Sequence, residues 1–504
     1  MHSPVKSLGT LALSVALALS FGLAARPAGA DAPPAAAPGA APAEARAPEI
    51  EAAVHALVSD RSFKDAKIGI SIVDVETGRV LAAHDEHVPL NPASNAKVYT
   101  AGAALATLHG DHRYETTLSG TLKGAEITGP IVLRGTGDPS LATADLTRMV
   151  AELHAMGVRR VAGDVLVDQR AFDEQVVPPA FEQQPSEWAS FRAPVSAVAL
   201  NENTVTMTVR PAAEGAPATV SFDPPGFVDM EGTVTTSGEG ADGVGLVLAG
   251  SGQRLSAKVS GKVGVDARVV RFTRRVDDPT LLAGYALKSE LDRAGIKVSG
   301  EVKAGSAKGA VLARHVSEPL SSLLYSVGKN SDNFYAEMIF KTMGGEVKKR
   351  PARHADAAEV VKEWVTKVGA FEQGMVIKNG SGLFDANRAT ASSMTTVLRA
   401  VYKDPALQTE FVAQLAVGGA DGTLKKRFRD DRARRAIRAK TGTLEDAIAL
   451  SGFVLGPQGK GPIAFSILMN GTTGKAAQAR SGIDKLVEML LKRQLGGLAA
   501  PSIR

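Results

Sequence analysis

NPASNAKVYTAGAALATLHG, residues 91–110, is the stretch on which the reading of this chain turns. It is rich in Ala, with Pro92 at its first turn and Gly110 past its end, which predicts a helix. Ser94-Asn95-Ala96-Lys97 stands where that helix begins. A spacing of three puts the Ser94 hydroxyl and the Lys97 amine on one helical face, close enough to share a proton. A serine at a helix N-terminus also meets the positive end of the dipole, which favours developing negative charge. As a bare pattern Ser-x-x-Lys is cheap, expected roughly twice by chance in a chain of this length. The chain holds other copies, among them Ser326-Val327-Gly328-Lys329, so the pattern needs companions before it means chemistry.

Two companions follow in order. Ser331-Asp332-Asn333 lies within a helical pattern over 320–344, and Lys440-Thr441-Gly442-Thr443 closes a predicted strand. A Lys-Thr-Gly arises by chance on the order of 0.1 times in this length. The surroundings supply a sheet. Ile68, Ile70 and Ile72 alternate with small or polar residues, and Val80-Leu81-Ala82 follows after a Gly-containing turn, reading as an antiparallel pair. Residues 436–443, 447–455 and 463–470 read as three consecutive strands, and 483–491 as a helix with Ile483, Leu486, Val487 and Leu490 on one face. Its polar face mixes acids and bases, which favours packing on the sheet over a membrane surface. A further helical pattern covers 354–369. The fold class is α/β in the broad sense (α+β): an antiparallel sheet flanked by helices.

Taken singly, each of these residues has a bland reading. Ser94 is a helix cap, Lys97 a solvated lysine, Ser331 or Asn333 a cap of the next helix, and Lys440 part of a basic face over 425–440. The ordered set is what carries weight: Ser-x-x-Lys, Ser-Asp-Asn and Lys-Thr-Gly recur together in penicillin-binding proteins and serine β-lactamases. Competing sites are thinner. His84-Asp85-Glu86-His87 and His109-Gly110-Asp111-His112 each offer His-x-x-His in a loop or at a helix end, with no evident third ligand. There is no Gly-x-Ser-x-Gly elbow and no P-loop. No cofactor and no metal are expected.

Other segments extend the likeness: Gly137-Asp138-Pro139-Ser140-Leu141, Ala193-Pro194-Val195-Ser196-Ala197 with Asn201-Glu202-Asn203, Asn379-Gly380-Ser381-Gly382-Leu383 with Asn387-Arg388, and Asp421-Gly422-Thr423-Leu424. Over about 50–490 the chain resembles the low-molecular-mass class C penicillin-binding proteins, the D-alanyl-D-alanine carboxypeptidase/endopeptidase family. The 237 residues separating Ser94 from Ser331 match that family's habit of inserting domains into the catalytic unit, whereas class A β-lactamases have no room for them. The resemblance implies a serine β-lactamase/penicillin-binding transpeptidase-like domain, with peptidoglycan stem peptides ending in D-Ala-D-Ala as substrate and β-lactams as covalent inhibitors. It makes Ser94 the nucleophile and Lys97 its base, depressed in pKa by burial and by Lys440. It makes Ser331 the proton relay to the leaving amine, and Asn333 a donor to the substrate backbone that also orients Lys97. Lys440, Thr441, Gly442 and Thr443 would form the substrate-binding strand. Lys440, Thr441 and Thr443 would hold the terminal carboxylate, and the N–H groups of Ser94 and Thr443 the oxyanion. A β-lactamase or esterase on the same scaffold, or a non-catalytic peptidoglycan-binding scaffold, are the alternatives.

The rest of the chain sets the context. Of 504 residues 44% are hydrophobic and 22% charged, which excludes a mainly disordered chain and a multi-span membrane protein. There is no Cys, hence no disulfide, thiol nucleophile, Cys-ligated zinc, Fe–S cluster or lipoprotein anchor. Residues 1–30 read as a secretory signal: Lys6, an apolar run from Leu8 to Ala25, then Ala28-Gly29-Ala30 with cleavage after Ala30. An uncleaved anchor is the other reading. Removing Lys6 and Arg26 takes the formal charge from +5 to +3, too mild a balance to ask for nucleic acid. Residues 31–48 read as an Ala/Pro-rich tether. Residues 49–112 and 300–504 are expected to form the split catalytic domain, and 113–299 one or two inserted, mainly β modules. The product is expected in the periplasm or secreted, with no stable membrane span after signal cleavage.

Overall fold

A computed structural model describes residues 47–240, 242–430, 434–457 and 459–496. The expected signal over 1–30 with its cleavage after Ala30, and nearly all of the tether, lie outside the described residues, as does Arg432 of the basic stretch. No helix of the described residues is long and apolar enough to cross a membrane.

The principal sheet has six strands in the order Ala416–Val417, Ile437–Thr443, Ala447–Val454, Ile463–Asn470, Lys67–Asp74, Val80–His84. All its pairs are antiparallel. Strands from the two ends of the described chain therefore meet in one sheet, with Ile70 opposite Ile467. One face packs under the helices Pro48–Val58 and Ala476–Leu495, where Ile70, Ile72 and Phe465 join Ile50, Ile483 and Leu486 in one core.

The other face is built of small residues so that helices can come close. Ser71 shares a hydrogen bond with Thr395 of the helix Ala391–Lys403 at 2.8 Å. This explains why the strand around residue 70 alternates Ile with Gly and Ser although both of its faces are buried. The same logic governs the helix Ala96–Leu108, buried from Ala96 through Leu105. A Cβ on Gly102 would stand 2.3 Å from the Trp364 ring.

The region between the first helix and the Ser-Asp-Asn segment holds four further sheets. Strands dominate, but two helices not expected from the sequence, Thr143–Ala155 and Leu282–Arg293, share a core with the strands Ile131–Gly135 and Val165–Asp168. The first is a crossover between those two strands, which run parallel. Its period is present in the sequence, at Leu146, Met149, Val150 and Leu153.

The expected boundary at 299/300 is also displaced. Val302–Ala304 pairs with Val165–Asp168, and Ala310–Val316 with Glu115–Gly120, so residues up to 316 are sheet partners of strands within 113–299. Short β-branched runs carry no mark of the sheet they will join, because pairing is settled by distant strands. The Gly-rich stretch around 213–265 is ordered into strands over a small core of Met207, Val209, Val234, Val259 and Val263.

Candidate active site

Ser94 lies in a 3₁₀ turn, Ala93–Asn95, that leads into the helix Ala96–Leu108, so the α-helix begins later than the sequence pattern suggests. Ala93 is held at φ 48°, a left-handed conformation costing a non-glycine residue on the order of 1 kcal/mol. The turn is fastened to the sheet from beneath: Asn95 Nδ2 donates to Ser451 Oγ at 2.8 Å, and Ser451 bonds Ser466 on the next strand. Gly442 lets the strand Ile437–Thr443 come against it, since a Cβ there would sit 2.9 Å from the Pro92 carbonyl oxygen.

Lys97 is 1% exposed. Its Nζ lies 3.2 Å from Ser94 Oγ and donates to Asn333 Oδ1 and to the Ser381 carbonyl, both at 2.7 Å. Burial brings its pKa down to about 7, while Glu337 and Asp332 pull the other way. A neutral amine has two N–H donors and one lone pair. The two short acceptors take the donors, which leaves the lone pair for the Ser94 hydroxyl proton.

The Ser-Asp-Asn segment sits at a break, not inside a continuous helix as expected. A π-helical turn over Ser326–Asn330 ends at Ser331, which is left-handed, and Asp332 caps the new helix Asn333–Lys348 by accepting from Tyr335 N at 3.0 Å. The break turns Ser331 Oγ toward Lys440, whose Nζ donates to it at 2.7 Å and to its neighbour's carbonyl, Thr441 O, at 2.8 Å.

Lys440 is fully buried. Burial and then the charge of Lys97 hold its pKa well below the usual lysine range. Burial, expected from the sequence, is the main cause that lowers Lys97, and burial followed by the repulsion between the two lysines lowers Lys440.

Thr441 Oγ1 donates to Thr423 Oγ1 at 3.0 Å, and Thr443 is exposed. The neighbouring strand Ala416–Val417 pairs only as far as Ala439, so the outer edge of 440–443 has no strand partner among the described residues. Ser94, Ser331, Asn333 and Thr443 open together into a cleft of about 910 Å³, walled by Phe384, Asp385 and Arg388 and by 444–447.

The structure also brings in residues that motif reading missed. The Ser381 carbonyl on Lys97 belongs to a loop already singled out by its likeness but given no task. Gln183, Gln184 and Phe191, from within 113–299, line the cleft, and Asn333 Nδ2 donates to the Phe191 carbonyl at 2.9 Å. No sequence signal links Phe191 to Asn333. Arg480, exposed near the start of the last helix, approaches Thr443 Oγ1 at 3.4 Å.

The rival pairs go elsewhere. Lys329 is taken by Asp421 at 2.7 Å, and His87 by Glu372 at 3.0 Å. In the basic stretch, Arg427 pairs with Asp484.

A family model described as the D-Ala-D-Ala carboxypeptidase 3 (S13) family matches residues 50–492. A D-alanyl-D-alanine carboxypeptidase of an Actinomadura species is 34% identical, covering 86% of this chain and 83% of that one. A Haemophilus influenzae D-alanyl-D-alanine carboxypeptidase is 25% identical over 81% and 86%. The crystal structure of penicillin binding protein 4 from Haemophilus influenzae superposes with a TM-score of 0.72 at 23% identity, covering 87% of this chain and 99% of that one.

Proposed function

This chain belongs to the D-Ala-D-Ala carboxypeptidase 3 (S13) family, and from that premise we propose that Ser94 is the nucleophile of a serine-type D-alanyl-D-alanine carboxypeptidase acting on peptidoglycan stem peptides. The observation that carries the assignment is Lys97: buried, 3.2 Å from Ser94 Oγ, and hydrogen-bonded to neutral oxygens only.

In this reading Lys97 takes the Ser94 proton as Oγ attacks the carbonyl between the two D-alanines. The N–H groups of Ser94 and Thr443 receive the oxyanion. Ser331 accepts a hydrogen bond from Lys440, so its own O–H is directed at the leaving amine. That amine departs as D-alanine with the proton relayed from Lys97 through Ser331. Water then attacks the ester, giving the shortened peptide and free Ser94.

The substrate lies along the open edge of 440–443 as an added strand. Asn333 has a second Nδ2 hydrogen for its backbone, and its terminal carboxylate meets Lys440, Thr441 and Thr443, with the guanidinium of Arg480 beyond. A β-lactam acylates the same serine. The catalytic unit is split, and its inserted region forms one wall of the cleft through Gln183, Gln184 and Phe191. A peptidoglycan substrate places the working enzyme outside the cytoplasmic membrane, in keeping with the signal read over 1–30.

The test is to mix the mature protein with a peptide ending in D-Ala-D-Ala and, separately, with a fluorescent penicillin. D-alanine release and a penicillin adduct on the Ser94 peptide are expected. Rapid consumption of the antibiotic without an adduct would mark a β-lactamase. Intact peptide and intact antibiotic would leave only a binding scaffold.

A further inference from the structure

Glu337 plays no part in the steps above, yet it touches the machinery from behind. It stands four residues after Asn333 on the helix Asn333–Lys348, so the two side chains leave the same helical face. Its carboxylate is fully buried. Oε1 accepts from Ser381 N at 2.8 Å and Oε2 from Gly380 N at 3.1 Å. His354 Nε2, 1% exposed at its residue, lies 3.4 Å from Oε2. The other side of Ser381 is its carbonyl, which holds Lys97 Nζ.

We propose that Glu337, backed by His354, is a positioning residue for the base: it clamps the Gly380 and Ser381 N–H groups so that the Ser381 carbonyl orients Lys97. The inference rests on the assignment of Ser94 and Lys97 made above.

The physical need is plain. A lysine drawn out of water loses basicity, and a base whose pKa falls far below the working pH accepts a proton poorly. A nearby carboxylate restores part of the loss. Of the groups that raise Lys97 against burial, Glu337 acts most strongly, ahead of Asp332. Glu337 must itself stay ionised in a dry place. Burial pushes its carboxyl up, but His354 and then the Ser381 and Gly380 contacts more than offset this, and its pKa ends below the usual value.

The charged and titratable groups that face it are His354 from the helix His354–Lys367, Lys97, and Lys341 one turn further along its own helix. Lys341 is answered by Asp173 at 2.6 Å and donates to the Gln175 carbonyl at 2.7 Å. The charge of Glu337 acts on Lys97 and, behind Asp173, on Lys341. A glutamine in its place would keep one acceptor, lose the charge, and set an NH₂ against a backbone N–H.

The experiment is the rate of Ser94 acylation by a fluorescent penicillin from pH 5 to 9, in the wild type, Glu337→Gln and Glu337→Asp, with thermal melts alongside. Glu337→Gln should move the acid limb of the profile down by about one pH unit, because losing a negative charge makes Lys97 easier to deprotonate. Its plateau should fall at least about tenfold as the clamp opens. Glu337→Asp keeps the charge but is one methylene short, so its limb should stay at the wild-type pH while the plateau falls. A merely structural glutamate would lower the melt and the rate with every limb in place. A Glu337→Gln limb at the wild-type pH overturns the proposal, and so does a Glu337→Asp enzyme with the full plateau rate. If the glutamine variant does not fold, the aspartate variant decides: a lower plateau at the wild-type melting temperature supports the clamp, and a full plateau or a loss that follows a lowered melt overturns it. A wild type that takes no label overturns the Ser94 assignment and this inference with it, whereas a labelled wild type beside an unmoved limb overturns the inference alone.

Discussion

Ser94–Lys97 and Ser326–Lys329 are the same four-residue pattern in two regions of one chain, and the fold treats them oppositely. Lys329 keeps about a fifth of its side chain in solvent and donates to the Asp421 carboxylate at 2.7 Å and to the Leu415 carbonyl at 3.0 Å. Its charge is answered by a carboxylate, and the side chain serves as a brace. Lys97 is almost wholly buried and meets three neutral oxygens and no carboxylate. Nothing in contact holds its proton, and burial makes the proton costly. A base at neutral pH is a lysine buried with no carboxylate in contact; a lysine paired directly to one is a strut.

The comparison can be broken at several points. The largest effect is expected for Ser94→Ala, which should cut penicillin labelling and D-alanine release by about 10⁴-fold or more, with Ser326→Ala within about twofold of wild type. Equal losses from both, read by gel fluorescence and amino-acid release, would erase the distinction. Next, Lys97→Met should slow acylation by about 10³-fold, the scale of a lost general base.

The pH profile sharpens the same point. Lys97 must be neutral to act, and burial sets its pKa at about 7, so the acylation rate should rise with pH and level off above that value. A profile flat from pH 5 to 9 would mean that another group takes the proton. A smaller effect belongs to Arg480→Ala. Removing the guanidinium near Thr443 should raise KM by about tenfold for a peptide ending in a free carboxylate, and much less for its C-terminal amide. Equal changes for acid and amide would deny Arg480 that contact. Smallest is Lys329→Met: labelling unchanged, and a stability loss of about 1 kcal/mol in urea titration from a part-exposed pair.

Much of the fold was legible in local patterns. The three C-terminal strands read as 436–443, 447–455 and 463–470 are found at Ile437–Thr443, Ala447–Val454 and Ile463–Asn470, because turn residues and β-branched runs mark strand ends locally. The last helix was legible by its apolar face, although it is longer than read, Ala476–Leu495. What failed was non-local. The assignment of 300–316 to the catalytic part could not be tested against strands at 115–120 and 165–168 without knowing that they pair. The break at Ser331 was invisible because residues on both sides have helical periodicity, and only the left-handed Ser331 and the extended Asp332 separate them. Of the site, the motif side chains were legible, but Ser381 acts through its carbonyl and Phe191 through its own, and a backbone atom leaves no residue-type signature.

From the order of residues alone come the candidate reacting groups, their three-residue spacing, the strand that carries Lys440, and the family these resemble. All of these depend on chemistry within a few bonds or one helical turn. Only the tertiary structure decides which serine–lysine pair becomes a nucleophile and base. That choice turns on desolvation and on the distance to each counter-ion, which are sums over atoms 92 to 284 residues apart: Asn333, Ser381 and Glu337 around Lys97, and Asp421 against Lys329.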